Sequence, residues 1–200
     1  MARYRTDHKQ ATRRRIIEAA GRRLKRDGID GSGVATLMSD AGLTNGAFYA
    51  HFDSKEDLVA STVADQLRDQ RETYSAQSVE EIVRGYLSIQ HRDNTEGGCP
   101  SAALLDEIAR SPDAVKRAYT DGQVAIIDDV AARLAPDDPQ SARVRTLGVF
   151  ALMVGTLQVS RALADQRLAD EVLEQGIQNA LVLLAMPGAD GRNGIGGRRN

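Results

Sequence analysis

The strongest constraint on the fold lies in one glycine-punctuated stretch, "VATLMSDAGLTNGAFYAHFDSKEDL", Val34 to Leu58. Two short apolar-faced runs, Val34–Ala41 and Asn45–His51, are separated only by "GLT". Helices this short are unstable in water, so each must be held by a neighbour. Val34, Leu37 and Met38 give the first run an inward face, and Phe48 and Phe52 give the second run a core plug at i, i+4 spacing. Two short helices joined by a brief glycine-containing turn form a helix-turn-helix. Gly42 ends the first run and Thr44 stands where an N-cap is preferred. Ser54, with Asp57 at the third helical position, then opens a fourth helix with a near capping box.

The flanking sequence is helical too. From about residue 10 to 27, Ile16, Ile17, Ala20 and Leu24 form one stripe, and Gly28 follows where a left-handed cap is common. The fourth helix is expected to reach about Tyr74. "SVEEIVRGYLSIQHR" predicts one amphipathic helix, broken by "DNTEGG". "CPSAALLDEIARS" predicts a shorter helix with Pro100 in its first turn. Long helices follow from Pro112 to about Leu134, over about 140–163 and over about 169–186. The reading is all-α, with about nine helices: a three-helix helix-turn-helix head over 1–53, a larger helical ligand-binding and dimerisation body over 54–187, and a glycine-rich tail, expected to be disordered, over 188–200.

The net charge of −2 conceals an asymmetry. Residues 1–26 carry ten Lys and Arg against Asp7 and Glu18, a net +8, so the other 174 residues carry −10. A basic first helix beside a helix-turn-helix suggests a polyanionic partner. No run of about 18 apolar residues suggests a membrane span, and no secretory leader is read, so a cytoplasmic protein is expected. The single cysteine, Cys99, excludes an intramolecular disulfide, and His8, His51 and His91 are too scattered for a metal cluster. Phosphate-binding glycine loops, nucleophile elbows and metalloprotease motifs are missing, so no cofactor is expected and an enzyme is not the reading. The competing reading is an all-helical protein-interaction module without sequence-specific DNA binding. It leaves the head's motif and its basic start unexplained.

The second short helix opens on small or polar residues, Thr44, Asn45, Gly46 and Ala47, which let backbone approach a major groove. The Thr44 hydroxyl, the Tyr49 phenol and the Lys55 ammonium suit phosphate oxygens, and Ser32 and Gly33 offer a hydroxyl and an open amide before the preceding helix. In order and spacing, "RIIEAAGRRLKRDG" followed by "VATLMSDAGLTNGAFYAHFDSKEDL" resembles the TetR family of bacterial transcriptional regulators over about residues 10–60. "LGVFALMVGTLQVSRAL" looks like that family's penultimate helix, a looser match. The resemblance implies a homodimeric repressor on a partly palindromic double-stranded DNA operator, released when a small molecule enters the body and re-angles the fourth helix. It implies phosphate contacts from Thr44, Tyr49 and Lys55, a base-facing edge at Asn45, Gly46 and Ala47, and a further backbone contact from His51. Two positions depart from the family pattern. Gly33 stands where Thr or Ser is usual, with Ser32 as a possible substitute, and Met38 stands where Ala is usual.

The last two helices have broad apolar faces that would pair with those of a second copy as a four-helix bundle. Gly148 and Gly155 permit close helix approach there, although packing within one subunit explains each alone. Tyr86, Cys99, Tyr119, Phe150 and Met153 are the candidate effector-lining residues. Cys99 falls at a helix start, where a thiol is activated, but a small buried hydrophobe is the preferred account of it.

Overall fold

The computed structural model describes residues 2–186 as helices and connecting turns, with no strand among the described residues. The tail at 188–200 lies outside the described residues. The head consists of α1 (Ala2–Asp27), α2 (Val34–Asp40) and a 3₁₀ helix (Asn45–Ala50). The body follows as α3 (Lys55–Ser75), α4 (Val79–Tyr86), α5 (Ile89–Asp93), α6 (Pro100–Arg110), α7 (Asp113–Leu134), α8 (Pro139–Ala162) and α9 (Gln166–Ala185).

The head closes as its apolar pattern requires. Ile16, Ala20 and Leu24 from α1, Leu37 and Met38 from α2, and Phe48 and Phe52 form one buried cluster. Met38 finds its extra room there, fully buried. Phe48 and Phe52 stack with centroids 5.7 Å apart, and the Arg13 guanidinium covers Phe52 at 4.6 Å. The same cluster continues through Leu58, Val63 and Leu67 of α3 into Leu104 and Ile108 of α6. Apolar packing therefore joins head and body without a break. A second cluster fills the body, around Val83 and Leu87, then Val149, Met153 and Leu157 of α8 and Leu173 and Ile177 of α9.

Gly28 ends α1 at φ +80°, and its N–H returns to the Leu24 carbonyl. Gly42 ends α2 at φ +65°. Ser54 caps α3 by accepting from the Asp57 N–H at 3.2 Å. The Asp57 carboxylate reaches the Asp53 N–H rather than that of Ser54, so the capping box is displaced by one residue.

Three elements differ from the sequence expectation. The single helix expected over 78–92 is two, α4 and α5. Ser88 is extended and caps α5 by accepting from the His91 N–H, a local bond that ends the apolar stripe's helix at Leu87. The recognition helix is 3₁₀, and Thr44 makes no side-chain cap. Its fold rests on Phe48 and Phe52, not on its N-terminus. Finally, α8 is long and apolar enough to cross a membrane by length and composition, although it holds no unbroken apolar run of that length. Ala142, Val149, Val154 and Leu157 are buried on its inner side.

Candidate DNA-binding edge and effector cavities

The outer edge of the head is small and polar. Thr44, Asn45 and Gly46 are exposed, Ala47 is half-buried against the head's core, and Tyr49 is 74% exposed. The Tyr49 ring rests edge-on against Phe48 at 5.2 Å, so its hydroxyl projects from a fixed base. Gly33 is exposed and caps α2 through its carbonyl alone.

Three expected contacts are placed differently. Ser32 is fully buried, and its hydroxyl donates to the Gly28 carbonyl at 2.7 Å, holding the α1–α2 turn instead of facing outward. Thr36, exposed in the first turn of α2, presents a hydroxyl at the start of that helix instead. His51 is half-buried with a buried, unpartnered Nδ1. Burial, then the charges of Lys9 and Arg13, lower its pKa, so the ring is neutral rather than a cation held out to phosphate. Lys55 donates to the Ile29 carbonyl at 2.6 Å. Its ammonium therefore ties α3 to the turn of the head and reaches a phosphate only by leaving that bond.

The basic charge of α1 is also partly internal. Arg23 pairs with Asp40 and Asp27, Arg26 pairs with Asp27 and Glu96, and Arg14 pairs with Glu18. Lys25 is buried and donates to the Gly98 carbonyl at 2.7 Å. Burial holds its pKa down to about 8, opposed by the neighbouring Cys99 and Glu96.

Two cavities meet in the body. An open cleft of about 640 Å³ runs between α1, α3 and the segment before α6, with Lys25, Gln70, Tyr74, Tyr86, His91 and Cys99 on its walls. A void of about 40 Å³ lies deeper, bordered by Tyr74, Tyr86, Gln123, Phe150 and Met153. Tyr86, Cys99, Phe150 and Met153 thus line cavities. Tyr119 borders neither, and its hydroxyl instead donates to Ser101 Oγ at 3.0 Å.

Cys99 is 6% exposed and is the N-cap of α6, its sulfur accepting from the Ser101 N–H at 3.3 Å. Its own N–H donates to His91 Nε2 at 3.0 Å, while His91 Nδ1 lies 2.7 Å from the Tyr86 carbonyl. Accepting at Nε2 requires the proton at Nδ1, where it is donated to that carbonyl, so the two bonds assign one neutral tautomer. Burial, the leading cause, lowers the His91 pKa. A Cβ on Gly98 would stand 2.8 Å from His91 Nε2, so glycine is needed for this approach. Lys25, Gln70, Tyr74, His91 and Gln123 were not readable in the sequence as cavity residues, because no local motif links them.

One further contact joins body to head. The Glu107 carboxylate of α6 accepts from the Ile29 N–H at 3.0 Å and the Asp30 N–H at 3.1 Å. The α1–α2 turn is therefore gripped at its amides by α6 and at its Ile29 carbonyl by Lys55 of α3.

A helix-turn-helix with a small-residue outer edge, on an all-helical body with internal cavities, defines a DNA-binding transcriptional regulator. Residues 16–62 match the model of bacterial regulatory proteins of the tetR family. Over 135 residues, 68% of this chain and 70% of the relative, the chain is 27% identical to the HTH-type transcriptional repressor AcnR of Corynebacterium efficiens. Over 59 residues, 30% of this chain and 28% of the relative, it is 41% identical to the HTH-type transcriptional regulator TtgR of Pseudomonas putida. The fold is similar to that of the reduced form of E. coli NemR, with a TM-score of 0.72 at 18% identity over 88% of this chain and 98% of that one. Residues 16–62 thus carry the DNA-binding region of the TetR family, and the rest of the chain is similar to TetR-family regulators in fold.

Proposed function

We propose that this regulator is a repressor that binds a palindromic operator as a homodimer and is released by a small molecule. The observation that carries the DNA reading is the division of one short helix into two faces. Phe48 and Phe52 are buried, while Thr44, Asn45, Gly46 and the Tyr49 hydroxyl face outward. Asn45, Gly46 and Ala47 then meet base edges, and Thr44 and Tyr49 hold phosphates. Lys55 joins them on exchanging the Ile29 carbonyl for a phosphate oxygen. Thr36 takes the role expected of Ser32, Gly33 contributes backbone only, and His51 supports the helix from beneath. On this reading residues 1–53 are the DNA-binding unit and those from 54 onward the ligand and dimer unit, acting in the cytoplasm where the chromosome lies. The division is one of role, since packing is continuous across it.

The outward faces of α8 and α9 support the dimer. Val144 is 72% and Val159 52% exposed on α8, and Val182 is 58% exposed on α9. A Cβ added at Gly148 or Gly155 meets nothing within 4 Å, so neither glycine serves packing within the subunit. Release would reach the head along α3, which leaves the recognition helix directly, and along α6, whose start lines the cleft and whose Glu107 grips the turn of the head. The repressor role has the AcnR similarity behind it. The test is fluorescence anisotropy on DNA flanking the protein's own gene, with a salt titration. Salt-dependent binding of one dimer per site, lost on Asn45→Ala, is expected. A stable dimer that binds none of that DNA would favour the interaction-module reading.

A further inference from the structure

Tyr86 and Gln123 are 3% and 6% exposed, and in both a polar atom, the Tyr86 hydroxyl beside the weakly bonding Cys99 thiol and Gln123 Nε2, is buried without a hydrogen-bond partner of ordinary geometry. Both residues border the inner void. A hydrogen-bond relay assigns which end of the Gln123 amide is left over. The Tyr119 hydroxyl donates to Ser101 Oγ, and Ser101 Oγ donates to Gln123 Oε1 at 3.4 Å. The oxygen is thereby committed, and the –NH₂ group, which can only donate, is left without a partner. Burial, the leading cause, raises the Tyr86 pKa well above its ordinary value, so the phenol keeps its proton and can donate as well. The rest of the lining is largely apolar, Phe150 and Met153 included, and no charged side chain borders the void. A buried donor left without its hydrogen bond has lost water and gained nothing in return, so two donors beside one void are a standing demand for an acceptor.

Resting on the reading of the body as an effector-binding unit, we propose that the effector is a hydrophobic molecule bearing a carbonyl or carboxylate oxygen, which seats between the Tyr86 hydroxyl and the Gln123 amide. A cationic group seated in the void would meet unpartnered donors and no counter-charge, since the carboxylates of Glu18, Asp65 and Asp69 line the outer cleft and not the void. At about 40 Å³ the void has room for little more than a water, whose share of liquid volume is about 30 Å³. The hydrophobic body must therefore enlarge it. Gln70, Tyr74, Ile82 and Tyr86 border both the void and the larger cleft, so displacing them joins the two into one chamber with its mouth beside Lys25 and Cys99.

The test uses the full chain and three probes built on one ring system: 2-acetylnaphthalene, 2-naphthoate and (2-naphthylmethyl)trimethylammonium. Calorimetry should show binding of at least one oxygen-bearing probe, and which of them binds decides between ketone and carboxylate. The ammonium should not bind. Tyr86→Phe and Gln123→Leu should each weaken binding of the oxygen-bearing probe by about tenfold or more. The Tm of ligand-free Tyr86→Phe should stay level or rise, because that change removes an unpartnered buried hydroxyl, whereas Gln123→Leu also strands the Ser101 hydroxyl and is read by binding alone. The proposal is overturned if the ammonium binds equally well, if neither oxygen-bearing probe binds, if the variants bind as wild type does, or if the ligand-free Tm of Tyr86→Phe falls, as loss of a structural water would make it. A parallel mobility shift separates the two readings. Probe binding as described without DNA release would sink release by ligand and leave the site chemistry standing.

Discussion

Replacing Glu107 by Ala tests whether α6 holds the head. The carboxylate accepts two backbone N–H bonds, at 3.0 and 3.1 Å, from the α1–α2 turn. Bonds to a charged group contribute about 1.5–3 kcal/mol each when buried. Glu107 is half-buried, and water can reach the Asp30 amide once the carboxylate is gone, so a total loss of about 1–2 kcal/mol is the reasoned magnitude. In a chain of this size that corresponds to a fall in Tm of about 3–6 °C. The position-specific readout is amide exchange at Ile29 and Asp30, which should accelerate while the amides of α7 keep their protection. Gly28 supplies an internal check. It sits at φ +80°, and a Cβ there would stand 2.9 Å from Glu107 Oε1. Gly28→Ala therefore carries a left-handed backbone cost of about 1–2 kcal/mol plus displacement of the carboxylate. The second part vanishes in the Glu107→Ala background, so the double variant should be less destabilised than the sum of the two. Unchanged exchange at Ile29 and Asp30, or strict additivity with Gly28→Ala, would refute the grip.

Four other measurements bear on the reading. Tyr49→Phe should weaken DNA binding about two- to tenfold, the worth of one hydrogen bond, and leave Tm unchanged because the ring keeps its contact with Phe48. Val144→Asp should shift sedimentation from dimer to monomer with helicity retained, since that side chain is exposed within the subunit. Lys25 binds a proton less readily folded than unfolded, so stability should rise from pH 8 toward 10.5, and Lys25→Met should flatten that rise in chemical denaturation. His91 is also disfavoured as a cation when folded, so its contribution is complete above about pH 6.5 and is lost on acidification. Denaturation midpoints between pH 7 and 5 should fall less steeply in His91→Gln.

The head was legible because its determinants are local. Glycines end helices where φ turns positive, and Phe48 and Phe52 share a face by spacing alone. What the sequence could not display was pairing across distance. Arg23 reads as free positive charge until Asp40 is placed beside it, and Arg26 until Glu96 is. Ser32 reads as a free hydroxyl until the turn brings the Gly28 carbonyl to it. The cavities of the body follow the same logic. Lys25, Gln70, His91 and Gln123 stand on four different helices and share walls only after folding, whereas Tyr86, Phe150 and Met153 were reachable as apolar-face residues of their helices. The split at Leu87 was hidden for the opposite reason: an apolar stripe continued past a serine whose side chain begins a new helix.

The hydropathy of α8 needs a cause other than its own core, because much of the helix is exposed. Between Arg145 and Arg161 it offers fifteen residues, about 22 Å at 1.5 Å per residue, against about 30 Å of hydrocarbon in a bilayer. Inside that length the inward face is occupied by Val149, Met153, Val154 and Leu157. The outward face carries Gly148, Ala151, Gly155 and Val159, spaced three or four apart as a single stripe and without a charge. Lipid would favour larger side chains on such a stripe, whereas a second helix favours small ones, because they let two backbones come close. Large side chains placed on it therefore discriminate between the two: Gly148→Leu should weaken self-association while leaving the monomer's Tm in place, since a side chain there meets nothing of its own subunit.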